Sequence, residues 1–172
     1  MHRLEAYITL TILFLFALSI LFLPILWILQ KKGKSIRKTL SYFGLFCSLF
    51  LILFATIFYM PISFHPDLYS INLTPFNWQS ETQILVEFFP NILLFIPIGF
   101  FIPLVFEKKR KWYKTGILIF LLTFTIEFFQ YFIGRSSDIN DIISNTLGGM
   151  IGYSLFLLCY KVYKKRLCYI KK

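Results

Sequence analysis

Long stretches without charge alternate with short charged clusters along this chain, and the stretches have membrane-crossing length. Residues 6–30, 39–64, 88–106 and 142–160 carry no charged side chain, and 115–134 carries one, Glu127. About 20 mostly apolar residues cover the ~30 Å hydrocarbon core of a bilayer as a helix. The pattern predicts five transmembrane helices, an all-α polytopic membrane bundle. Residues 61–87 form the single long connection, and no internal repeat or low-complexity linker interrupts the order. Cleavage of a signal peptide after Ala17-Leu18-Ser19 is disfavoured, because the apolar run continues well past that site.

Composition sharpens this. Of 172 residues, 58% are hydrophobic and 15% charged, against roughly 45–50% and ~25% in soluble domains. A soluble monomer of this length could not hide so much apolar surface, and disorder is excluded on the same ground. The net charge of +10 resolves into position: sixteen of eighteen basic residues fall within 31–38, 108–114 and 161–172, leaving only Arg3 and Arg135 elsewhere. Alternate connections are therefore basic. By the positive-inside rule the N-terminus is outside and the C-terminus cytoplasmic, with Trp27, Trp112, Tyr113 and Tyr160 at the inner boundary. The excess signals topology, and no nucleic-acid partner is expected. Three cysteines without paired spacing give no disulfide framework or zinc motif, and no metal or cofactor is expected.

Polar residues inside the spans need a reason, since each costs free energy there. Glu127 and Gln130 share a face of the fourth span with Thr123 and Gly134. Asp138, Asp141, Asn145, Gly149 and Gly152 share a face at the start of the fifth, and Asn91 opens the third. Counting 1.5 Å per residue from the outer end of each span puts Glu127 ~10 Å below the outer surface, level with Gly148 and Gly149, with Asn91 and Asn145 at ~5 Å. The third span also carries Pro90, Pro97, Gly99 and Pro103. The expectation is a polar pocket open to the outer leaflet, built from Asn91, Glu127, Gln130, Arg135, Asp138, Asp141 and Asn145.

Plainer roles compete with that pocket. The glycines are expected to serve helix packing, and Asp138 competes between site and helix cap. Phe76-Asn77-Trp78 is read as an interfacial anchor, Cys47 as a buried apolar residue, and the glycosylation pattern at Asn72-Leu73-Thr74 as chance. If the site is catalytic, Glu127 is the acid or base with Asp138 or Asp141 as partner.

These residues resemble the VanZ-like family, whose founding member is a teicoplanin-resistance accessory protein. The matching strings are Asn72-Leu73-Thr74-Pro75-Phe76, the Asn91–Gly99 segment with Phe95 and Pro97, Glu127-Phe-Phe-Gln130, and Asp138–Asn145 continuing to Gly148-Gly149. They stand in family order and spacing across roughly residues 40–160. The resemblance implies a bacterial cytoplasmic-membrane protein affecting glycopeptide susceptibility, and it brings no catalytic residue or cofactor. It divides the chain into an additional N-terminal helix and basic loop (1–38), a four-helix core (39–160) and a basic tail (161–172). The expected partners are membrane lipids, with a lipid-linked cell-wall precursor or a lipoglycopeptide as ligand. An intramembrane enzyme and a small proton-coupled transporter are the alternatives.

Overall fold

The structure, a computed structural model, describes residues 35–58, 71–77 and 84–170. The first predicted span, Trp27 and Trp78 lie outside them. The chain divides into two units, 1–43 and 44–172. In the first, Thr39 and Ser41 return their hydroxyls to the carbonyls of Ser35 and Arg37, one turn back.

Four helices follow in order. Helix α1 (Ile36–Leu53) runs into a π-helical stretch, Phe54–Phe58. A π-helical turn, Ile84–Phe88, leads into α2 (Phe89–Val105); α3 is Trp112–Phe132 and α4 is Ile139–Ile170. With their π-helical extensions they supply four segments long and apolar enough to cross a membrane: Ile36–Ile57, Ile84–Val105, Trp112–Phe132 and Ile139–Lys165. Four predicted spans thus have helical counterparts. The surface agrees, because Leu93, Phe120, Phe124 and Phe128 are exposed while Glu127, Gln130, Thr123 and Asn145 are buried. That inside-out distribution suits a hydrocarbon solvent. The protein is a multi-pass membrane protein.

Helix α2 contains three prolines. Pro90 lies in the first turn, where its missing N–H costs nothing. Pro97 and Pro103 are interior and flank Gly99. There α2 meets α4 along a seam of small residues. A Cβ at Gly99 would overlap the backbone of Gly149, one at Gly148 the backbone of Ile92, and one at Gly152 the backbone of Ile96. The two helices run parallel with backbones nearly touching, as close helix pairs in membranes do. Ile52, Phe95, Ile98, Ile102, Ile119 and Ile126 fill the core beside this seam.

Helix α3 runs antiparallel to α4 and ends in a left-handed turn. Gly134 has φ 76°, its N–H reaches the Tyr131 carbonyl, and the Arg135 N–H reaches back to Gln130. This pair of bonds is the Schellman arrangement that lets glycine close a helix. The chain then doubles back, and β2 (Ser137–Asp138) pairs in parallel with β1 (Ile71–Asn72), Asn72 opposite Asp138.

The basic end of the bundle is closed differently. Arg110 donates from Nε to the Pro103 carbonyl at 3.1 Å, lies 3.7 Å from Glu107 and covers the Tyr160 ring, while the Tyr153 hydroxyl donates to the Arg110 carbonyl at 2.6 Å.

Candidate functional site

The polar residues gather at the end opposite Arg110, and a chain of side-chain bonds orders them. Asp138 is the N-cap of α4: Oδ1 accepts from the Asn140 N–H at 2.8 Å. Its Oδ2 accepts from Asn72 Nδ2 at 3.0 Å, and its own N–H donates to Glu127 Oε2 at 3.1 Å. Asn72 also turns its own loop, accepting from the Thr74 N–H at 3.1 Å. The strap 71–77 is fastened again where the Phe76 N–H, on a residue with φ 61°, donates to Asn140 Oδ1 at 2.8 Å. Asp141 accepts from Asn91 Nδ2 at 2.8 Å, tying α4 to α2.

The structure therefore brings Asn91, Glu127, Asp138 and Asp141 into one cluster. Asn145 sits a turn deeper, where Nδ2 donates to Thr123 Oγ1 at 2.8 Å. Gln130 and Arg135 lead elsewhere: Gln130 Nε2 donates to the Thr56 carbonyl at 3.0 Å, and Arg135 bonds the same oxygen. Three side-chain oxygens, Gln130 Oε1, Asn145 Oδ1 and Thr146 Oγ1, are buried without a hydrogen-bond partner among the described residues. No group of three His, Cys, Asp or Glu suited to a metal ion occurs among those residues either.

One expectation is corrected. Counting the fifth span from Ile142, where its charge-free run begins, set Gly148 and Gly149 level with Glu127. Instead Asp138, the residue before α4, contacts Glu127, and a Cβ on Gly149 would strike Ile119, two turns further along α3. The glycines therefore lie ~12 Å deeper than Glu127. The cause is the doubling back after Gly134, which spends four residues returning to the level of Glu127 before α4 begins. Most of the glycine seam also closes α2 on α4 rather than α3.

Asn72, Asn140, Ser137 and Thr56 escaped the sequence-based site. Asn72 and Asn140 were visible as Asx-type turn formers, Asn-x-Thr-Pro and Asp-x-Asn, which pattern reading of helix faces discards. Thr56 acts through its backbone carbonyl, for which no side-chain signal exists.

Beside the cluster lies a cleft of about 620 Å³ between α3 and α4. Phe124, Phe128 and Ile142 are among its apolar walls, and Asn72, Glu127 and Ser137 contribute polar atoms at one end. The cleft is thus apolar over most of its wall, with hydrogen-bonding groups at one end.

Fold and site together define a multi-pass helical membrane protein with a carboxylate-centred polar cluster at one end. A family model described as VanZ/LLP1 matches residues 6–160, a range that takes in the first predicted span as well as the four described helices. "Protein VanZ" of Enterococcus faecium is 33% identical over 130 residues, covering 75% of this chain and 78% of that protein. The chain belongs to the VanZ/LLP1 family. No solved structure matches it.

Proposed function

We propose that this protein acts at the outer face of the bacterial cytoplasmic membrane, binding a lipid-linked envelope component and thereby altering susceptibility to glycopeptides of the teicoplanin type. The observation that carries the reading is the placement of Glu127, buried and hydrogen-bonded, in the wall of the apolar cleft beside Asn72 and Ser137. A head group bearing hydroxyls or amides suits that acceptor-rich cluster, and Arg135 supplies the nearby positive charge. Orientation follows the charge pattern: Lys108, Lys111, Lys114, Lys161, Lys164 and Lys165 face the cytoplasm, and the cluster faces out. With the first predicted span, the count is five and the N-terminus is outside. The relatedness to Protein VanZ supports the link to drug susceptibility.

The test is native mass spectrometry of protein extracted from bacterial membranes, with and without Glu127→Gln. Retention of an envelope lipid by the wild type and its loss from the variant supports binding. Turnover of a labelled lipid-linked substrate by purified protein would replace binding with catalysis, Glu127 serving as acid or base with Asp138 or Asp141. Proton-coupled flux in proteoliposomes would make it a transporter.

A further inference from the structure

Acidic residues are as unevenly placed along this chain as basic ones. The stretches 39–106 and 115–160 hold six of them, Asp67, Glu81, Glu87, Glu127, Asp138 and Asp141, against a single lysine or arginine, Arg135. Glu127, Asp138 and Asp141 stand close enough to act on one another through their charges, and Glu87 adds its own at Asp141. The hydrogen bonds that hold these three carboxylates come from amides: the side chains of Asn72 and Asn91 and the N–H groups of Asp138 and Asn140. Such donors solvate negative charge without cancelling it. Arg135 opposes the charge at Asp141 and also bonds the Thr56 carbonyl, but it does not line the cleft of about 620 Å³.

In the cleft this surplus meets accessible space. Glu127 is the one charged side chain among the described residues of its wall. Phe128, Tyr131 and Phe132 line it within five residues of Glu127 on α3, and aromatic faces carry partial negative charge that attracts cations. Phe124, Phe128 and Phe132 are also exposed at the surface of the described bundle, so the cleft opens on its apolar side. Like charges set in an apolar wall repel strongly, and an anionic head group would add to them. A hydroxyl would leave them unbalanced. An ammonium group brings a countercharge and up to three charge-assisted hydrogen bonds. From this complementarity we propose that the cleft seats a lipid whose head group bears a primary ammonium, with the nitrogen at Glu127 and the chain along the apolar wall. This rests on the lipid-binding reading above and adds the charge of the head group to it. Hydroxyls or amides of the same head group meet Asn72 and Ser137.

Head-group charge is therefore the variable to test. The full chain is reconstituted in phosphatidylcholine nanodiscs with equimolar hexadecylamine and hexadecanol, which share a chain and differ in the head atom. Retained amphiphile is read by native mass spectrometry. The expected result is a preference for the amine on the order of tenfold, the margin of a charge-assisted hydrogen bond over a neutral one. Glu127→Gln removes the countercharge and should bring amine retention down to that of the alcohol. Leu73→Lys sets a competing cation on the exposed strap wall of the cleft. It should lower amine retention with the alcohol as internal reference, and it covers the case in which Glu127→Gln fails to fold. Equal retention of amine and alcohol by the wild type would show a cleft indifferent to head-group charge and overturn the inference, leaving a lipid site intact. A preference that survives both substitutions would place the amine elsewhere and overturn it too. Retention of neither amphiphile would also overturn it, and the lipid-binding reading falls with it if no envelope lipid is retained from native membranes.

Discussion

The two ends of the bundle carry most of its polar chemistry and use it in opposite ways. At the basic end, one side chain, Arg110, satisfies the Pro103 carbonyl at the end of α2, an exposed carboxylate in the loop and an aromatic face on α4. Its partners lie close in sequence or at the surface, where screening makes each contact weak. At the polar end the bonds join residues from α2, α3, α4 and the strap, half-buried around the buried Glu127. A network shielded in this way is strong when complete and expensive when broken. The difference separates a clip that holds a loop from a cluster that organises a site. Stability at the basic end should degrade gradually under mutation, and at the polar end in coupled steps.

The largest effect belongs to neither end but to the seam that keeps both in register. Gly99→Leu or Gly148→Val drives a side chain into the backbone of the neighbouring helix, and overpacking of that kind costs ~3 kcal/mol or more. Membrane accumulation and thermal unfolding in detergent should both collapse. Near-normal levels of both variants would mean that α2 and α4 are not in close contact.

Next comes Glu127→Gln. The amide oxygen can still accept from the Asp138 N–H, so folding and membrane level should hold while lipid retention falls on the order of tenfold. Tolerance to teicoplanin-type drugs in an overexpressing susceptible host should fall with it. Full activity of this variant at matched level would remove the acid–base and proton-relay alternatives together and leave Glu127 as an acceptor that holds Asp138.

Within the strap, Asn72→Ala and Asn140→Ala each remove side-chain bonds to the backbone or to Asp138 and should cost about 1–2 kcal/mol. The double variant should deviate from additivity, because both side chains fasten the same strap, Asn72 to Asp138 and Asn140 to the Phe76 N–H. Additive losses would show the strap and the cap of α4 to be independent. The smallest effect is expected at the other end. Arg110→Ala should cost about 1 kcal/mol or less, since its carboxylate pair is partly exposed and the remainder is one hydrogen bond and a ring contact. A loss exceeding that of Asn72→Ala would invert the contrast between the ends.

The helices were legible because apolar length and charge spacing are global signals. The charge-free runs 88–106 and 115–134 nearly coincide with Ile84–Val105 and Trp112–Phe132. Glu127, Asp138, Asp141 and Asn91 were legible as a group because a carboxylate in hydrocarbon demands company. Depth was not legible. It hinged on how residues 134–138 turn, and a Schellman close followed by a two-residue strand looks in sequence like any short loop. Asn72 read as a chance glycosylation pattern because its partner, Asp138, lies on the far side of two helices. Gln130 was grouped with the carboxylates by helix face and Arg135 as the basic residue of the adjoining loop; both also reach a backbone carbonyl at Thr56, invisible to any pattern of side chains.

The pairing of Asn72 with Asp138 joins positions 66 residues apart, and this imposes a chronology. The strap leaves the ribosome before α2 and α3 exist, while its partner strand is made only after the turn at Gly134. Until then Asn72 has no Asp138 to bond and Phe76 no Asn140 side chain to receive its N–H. The basic end completes its loop earlier, since Arg110 finds Glu107 and Pro103 within a few residues. A nascent chain halted anywhere before Ser137 therefore carries an unfastened strap, and the last contacts to close are those of Tyr153 and Tyr160 with Arg110 at the opposite end.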